Sequence, residues 1–157
     1  FGAAVQLVRA LLPSLEAGAG GWIVNVSSIF GIVAPPKQTA YSASKFALRG
    51  FSEALTHELA SRPKIGVTTV FPGGVRTSIA RNARVPDNVD RGARAEQVAA
   101  MEEKLTMEPQ EAAEIILDAV DRGNARVLVG RDAKLAEKVQ RLLPTRYWSV
   151  IDRENGR

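Results

Sequence analysis

Trp22-Ile23-Val24-Asn25-Val26-Ser27-Ser28, followed after residues 29–40 by Tyr41-Ser42-Ala43-Ser44-Lys45, is the stretch around which the chain organises itself. Four of its first five residues are β-branched or aromatic and they follow a Gly/Ala-rich turn at residues 16–21, which predicts a short buried strand. That strand delivers Ser27 and Ser28 to its C-terminal end. In open parallel α/β sheets ligands sit beyond that end, so a polar pair there is placed for chemistry. Tyr41 and Lys45 are four residues apart among good helix formers, which stacks them on one helix face. A phenol is a poor proton-transfer group near neutral pH, but a neighbouring ammonium favours the phenolate. Tyr41 is therefore a candidate general acid or base, and Ser28 a hydroxyl able to donate to a carbonyl or alkoxide oxygen.

Downstream, the pattern predicts a helix from Ala40 to about Ser61, ended by Pro63. Tyr41, Lys45, Leu48, Ser52, Leu55 and Leu59 share one of its faces, and Ala40, Ala43, Ala47, Gly50 and Ala54 form a second, small-residue stripe suited to close helix packing. His57 lies on neither face and reads as a solvated surface residue. Ile65-Gly66-Val67-Thr68-Thr69-Val70-Phe71 is the next buried strand, cut off by Pro72-Gly73-Gly74. Residues 78–107 are long, polar and charged, with short helical possibilities around 78–84 and 94–104, the profile of a lid or binding loop. Pro109 opens a helix that closes before Gly123, and Ala125-Arg126-Val127-Leu128-Val129-Gly130 reads as a last strand. Asp132 is placed to cap a helix running to Leu143 and stopped by Pro144; in the tail, residues 144–157, Tyr147 and Trp148 are expected to pack on the body or on a neighbouring subunit. At the other end, Val5, Val8, Leu11 and Leu12 have helical spacing with neither an initiator Met nor a capping residue before them, so the sequence starts inside a helix. Gly31, Pro35 and Pro36 make residues 29–39 an ordered loop whose apolar members either line a pocket or cap the core.

Three of these signals fall in a known order. Val26-Ser27-Ser28, then Tyr41-x-x-x-Lys45, then Phe71-Pro72-Gly73-Gly74-Val75-Arg76-Thr77 resembles the C-terminal portion of a short-chain dehydrogenase/reductase. The resemblance implies an α/β fold, a three-layer α/β/α Rossmann-like doubly wound parallel sheet. Its last three strands and their helices are present here, while the N-terminal dinucleotide-binding half, with its glycine-rich turn and a proton-relay Asn, lies outside this sequence. On that expectation residues 1–157 are the C-terminal portion of a single domain. The implied activity is NAD- or NADP-dependent interconversion of an alcohol and a ketone or aldehyde, with Ser28, Tyr41 and Lys45 catalytic. Tyr41 would exchange the proton, Lys45 would support it and hold the nicotinamide ribose, and Ser28 would polarise the substrate oxygen. Pro72, Gly73, Val75 and Thr77 join Tyr41 and Lys45 as cofactor-binding residues, residues 78–107 form the substrate loop, and a homodimer or homotetramer through helix 40–61 is expected. The alternatives are a catalytically idle relative serving as a binding or regulatory subunit, and a truncated interaction fragment.

Composition agrees by exclusion. A chain of 157 residues, 45% of them hydrophobic, is sized for one core. It has no Cys and a single His, which argues against a disulfide framework and against a zinc site. No apolar run is long enough to span a bilayer and no charged leader precedes a signal-like core, so a cytoplasmic protein without membrane contact is expected. The net charge of +4 is scattered; the one cluster, Arg76, Arg81, Arg84, Arg91 and Arg94, is interrupted by Asp87 and Asp90 and reads as a solvated loop or an anion site rather than a nucleic-acid surface.

Overall fold

The computed structural model describes residues 1–83 and 90–155. In chain order they form α1 (Gly2–Ala17), β1 (Gly21–Val26), a 3-10 turn (Ile29–Gly31), α2 (Thr39–Glu58), β2 (Ile65–Pro72), α3 (Arg91–Glu102), α4 (Pro109–Asp121), β3 (Arg126–Val129), α5 (Arg131–Leu142) and α6 (Tyr147–Asn155). The strands make one parallel sheet in the order β1-β2-β3, with Gly21 to Val26 facing Ile65 to Val70 and Thr69 to Pro72 facing Arg126 to Val129.

β2 is the centre of the sheet and is covered on both faces, as its unbroken β-branched run requires. Because strand side chains alternate, Ile65, Val67 and Phe71 point to one side and Val70 to the other. Ile65 and Val67 pack with Val8 of α1 and with Leu55 and Leu59 beyond the middle of α2. Val70 packs with Val129 and with Ala112 of α4. Helix, sheet and helix thus form three layers, the expected architecture.

Three expectations are corrected. β1 is not buried on both faces: Trp22, Val24 and Val26 are 41%, 38% and 50% exposed, because among the described residues no helix covers that side and no strand pairs its outer edge. Trp22 is nonetheless anchored, its indole lying over Gly66 and its Nε1–H donating to Thr68 Oγ1 at 2.8 Å. α1 runs through Pro13 to Ala17, so the turn begins at Gly18, and Leu11 is exposed while Leu15 packs on the core in its place. The tail is helical where no element is predicted. α6 lays Tyr147 and Ile151 on a cluster of Ile32, Val33, Phe71 and Ala136, and the Tyr147 hydroxyl accepts the Ala34 N–H at 3.1 Å.

That cluster also decides the role of the loop after β1. Ile32 and Val33 are each 1% exposed, so they cap the core over Phe71 and do not line a pocket. α3 covers the second helical possibility of the 78–107 segment; of the first, Arg84 lies outside the described residues, and so does Asp87.

Candidate active site

The site is built where β1 and β2 end. Ser27 continues the ladder past β1, donating its amide to Val70 O at 2.8 Å, and then the chain turns. Ser28 caps the 3-10 turn, its Oγ accepting the Phe30 N–H at 3.1 Å. That contact uses the oxygen as an acceptor, and among the described residues the Ser28 O–H has no acceptor of its own.

Tyr41 and Lys45 stand on the first turns of α2, which reaches β1 through a run of polar contacts. Asn25 Nδ2 donates to Ser52 Oγ at 2.9 Å, and Ser52 Oγ to Leu48 O at 2.7 Å, all in the interior. Nearer the site, buried Ser27 donates its Oγ to Lys45 O at 3.0 Å. A Cβ at Gly31 would come within 2.5 Å of that hydroxyl, so glycine is required for this approach. Ser27, ordinary by its sequence context, is therefore the pin that sets the helix carrying Tyr41 and Lys45 on the strand end carrying Ser28.

Tyr41 and Lys45 stand side by side, and Phe30, whose amide is held by Ser28, packs on Tyr41. The rings of Tyr41 and Phe30 meet edge to face, with centroids 6.1 Å apart. Lys45 Nζ lies 5.6 Å from the Tyr41 ring centroid and donates to Val26 O at 3.1 Å, immediately before Ser27. This half-buried ammonium has its pKa lowered by desolvation. The Tyr41 hydroxyl has no hydrogen-bond partner among the described residues. The arrangement offers an outside oxygen one free O–H, one phenol and one cation.

The turn after β2 lies at the same end of the sheet. Gly73 donates its amide to Val129 O at 2.8 Å, while Gly74 O accepts the amides of Thr106 and Met107, each at 3.0 Å. Val75 bridges Met107 in parallel fashion, which turns the Val75 amide and carbonyl away from Met107. Both glycines are required by close packing of the protein around them. A Cβ at Gly73 would lie 2.1 Å from the Asp132 carboxylate, and one at Gly74 would lie 2.0 Å from Lys104 O. The space a side chain would need is filled by protein, not left for a ligand.

A cleft of about 350 Å³ opens beside this turn, lined by Arg76, Thr77, Ser78, Arg81, Glu102 and Leu105. Its arginines are already paired, Arg76 with Glu108 and Arg81 with Glu102, so their charge is answered within the protein. Thr77 Oγ1 accepts only a long contact of 3.4 Å from the Ile79 amide. Asp132 is also corrected. Gly130 is the residue capping α5, and the Asp132 carboxylate reaches out of its helix to the Gly74 amide at 2.7 Å. No group of three His, Cys, Asp or Glu residues suited to a metal occurs among the described residues.

Residues 1–88 match the family model for short chain dehydrogenase. The chain belongs to the short-chain dehydrogenase family. SadH of Mycobacterium tuberculosis is 42% identical over 153 residues, a match covering 96% of this chain and 54% of SadH. Dehydrogenase/reductase SDR family member 7B of Xenopus laevis is 34% identical over 151 residues, 94% of this chain and 44% of the relative. Among solved structures, a short chain dehydrogenase from Burkholderia cenocepacia in complex with NADP superposes with a TM-score of 0.69 at 26% identity, covering 98% of this chain and 54% of that one. This short-chain dehydrogenase chain thus spans about half the length of the relatives it matches. No helix among the described residues is long and apolar enough to cross a membrane.

Proposed function

We propose that this chain carries the reaction centre of an NAD- or NADP-dependent oxidoreductase that interconverts an alcohol and a ketone or aldehyde. The observation that carries the reading is the placement of Ser28, Tyr41 and Lys45 at the C-terminal end of a parallel sheet, with the O–H donors of Ser28 and Tyr41 left without an acceptor among the described residues. Ser28 donates its free O–H to the substrate oxygen, and Tyr41 gives that oxygen a proton in reduction or takes one from it in oxidation. Lys45, anchored at Val26 O, places a positive charge beside the Tyr41 ring and supports the ionised phenol.

The residues present suit a nicotinamide cofactor. The Val75 carbonyl faces away from Met107 without a partner among the described residues, and the Thr77 hydroxyl retains its donor. Val75 and Thr77 would hold the carboxamide, the turn of Pro72 and Gly73 would set their position, and Lys45 with Tyr41 would hold the ribose. The cofactor, when bound, supplies or accepts the hydride. Residues 78–107, which wall the cleft at Arg81, Glu102 and Leu105, form the substrate loop.

A second feature supports association. Ala40, Ala43, Gly50 and Ala54 of the small-residue stripe are exposed, and a Cβ on Gly50 meets nothing within 4 Å. α2 is accordingly the contact helix of a homodimer or homotetramer. The catalytic reading is tested with Tyr41→Phe in the whole protein, which is expected to lower turnover by about a hundred- to ten-thousandfold while leaving the circular dichroism spectrum unchanged. Turnover close to wild type would falsify the assignment.

A further inference from the structure

We propose that Asp132 is a positioning residue for the cofactor, locking the Gly73-Gly74 turn in the shape that presents Val75; the inference rests on the cofactor reading of that turn given above. An acidic residue in the first turn of a helix is ordinarily explained by the helix dipole. This one is used differently. Its Oδ2 accepts the Gly74 amide at 2.7 Å, across 58 residues of sequence. A carboxylate acceptor makes such a bond stronger than a neutral pair.

The surroundings are shaped to that carboxylate. A Cβ on Gly73 would stand 2.1 Å from both its oxygens, and a Cβ on Gly130 would stand 2.4 Å from Oδ1. Gly130 also has φ +106°, a conformation side-chain-bearing residues rarely adopt. Glycines from two separate segments therefore leave one niche, and Asp132 occupies it. On the opposite side the Gly74 carbonyl takes the amides of Thr106 and Met107. Two consecutive glycines have the widest choice of backbone conformations, and a peptide plane between them is free to turn unless both its ends are held. Asp132 holds the amide end, the Val75 N–H, donating to Gly73 O at 3.1 Å, closes on the carbonyl end, and the segment before α4 holds the following plane through Gly74 O. The direction of the Val75 backbone follows from that plane.

The test compares Asp132→Ala, which removes the acceptor, with Asp132→Asn, which keeps an oxygen there, in the whole protein. In Asp132→Ala, hydrogen exchange at the Gly74 amide is expected to accelerate about tenfold or more, the consequence of losing one hydrogen bond to a charged group, while exchange at Val70 in β2 stays at the wild-type rate. The dissociation constant for NADH or NADPH, whichever the wild type binds, is expected to rise about tenfold in step, with kcat at saturating cofactor little changed. Asp132→Asn is expected to restore most of both. A wild type that binds neither dinucleotide overturns the cofactor reading and this inference with it. Wild-type binding with unchanged Gly74 exchange and unchanged affinity in Asp132→Ala overturns the inference alone, and so does an Asn variant no better than Ala.

Discussion

Gly74→Ala tests whether the packing around the turn after β2 is as close as it stands. The added Cβ would sit 2.0 Å from Lys104 O, 3.0 Å from Lys104 C and 3.4 Å from Leu105 Cα, all backbone atoms that no side-chain rotation can move aside. Ordinary contact requires the nearest of these to retreat to at least 3.4 Å. The two amides bonded to Gly74 O, those of Thr106 and Met107, belong to the segment that must retreat. Each such bond contributes about 1 kcal/mol net, and overpacking a close contact costs about 1–3 kcal/mol. The substitution should therefore destabilise the fold by about 3–5 kcal/mol, a large part of what a domain of this size possesses. Urea denaturation followed by circular dichroism measures it, with Gly50→Ala as the control. Gly50 is exposed in mid-helix with nothing near its missing Cβ, so alanine there should stabilise by about 0.5–1 kcal/mol. A loss below about 0.5 kcal/mol in Gly74→Ala, inside the range of ordinary surface changes, would refute the packing argument.

Burial lowers the Lys45 pKa below its ordinary 10.5, so between the lowered value and 10.5 the unfolded chain binds more protons than the folded one. Its contribution to stability should accordingly rise with pH across that window and be least favourable at neutral pH; denaturation midpoints of wild type and Lys45→Met taken at neutral pH and near 10.5 should diverge in favour of wild type, and parallel profiles would contradict the assignment. Ala54→Trp places a bulky ring on the exposed stripe of α2 and should lower the assembly state seen by light scattering without shifting the unfolding transition, whereas an unchanged oligomer would mean that the contact lies elsewhere. The 157-residue chain by itself contains no Gly-x-x-x-Gly-x-Gly turn to take a pyrophosphate, so calorimetric titration with NADH and NADPH should show no binding. Micromolar binding would place a phosphate site within these residues.

Much of the architecture is legible from residue periodicity because it depends on the local geometry of the backbone. A run such as that of β2 alternates its side chains to two faces, and two residues four apart on α2 must share a side, whatever surrounds them. The main strands and helices and the Tyr41–Lys45 pairing follow from such rules, whereas the parallel sheet is what the family resemblance implies and the alternation of helices and strands supports. What the sequence alone left open were matters of which surfaces meet. Ile32 and Val33 were equally suited to a pocket wall or a core cap until Phe71 and Ala136 arrived beneath them. Ser27 looked like any serine at a strand end until α2 brought Lys45 O to its hydroxyl. Arg76 and Arg81 had the composition of an anion site, and only the return of the chain through Glu102 and Glu108 neutralised them. Asp132 had every local mark of a helix cap, yet its partner lies 58 residues away across the β2–β3 pairing. Local periodicity is set by bond geometry within a few residues, whereas the partner of a carboxylate or a hydroxyl is chosen by the tertiary packing that carries a distant segment to it.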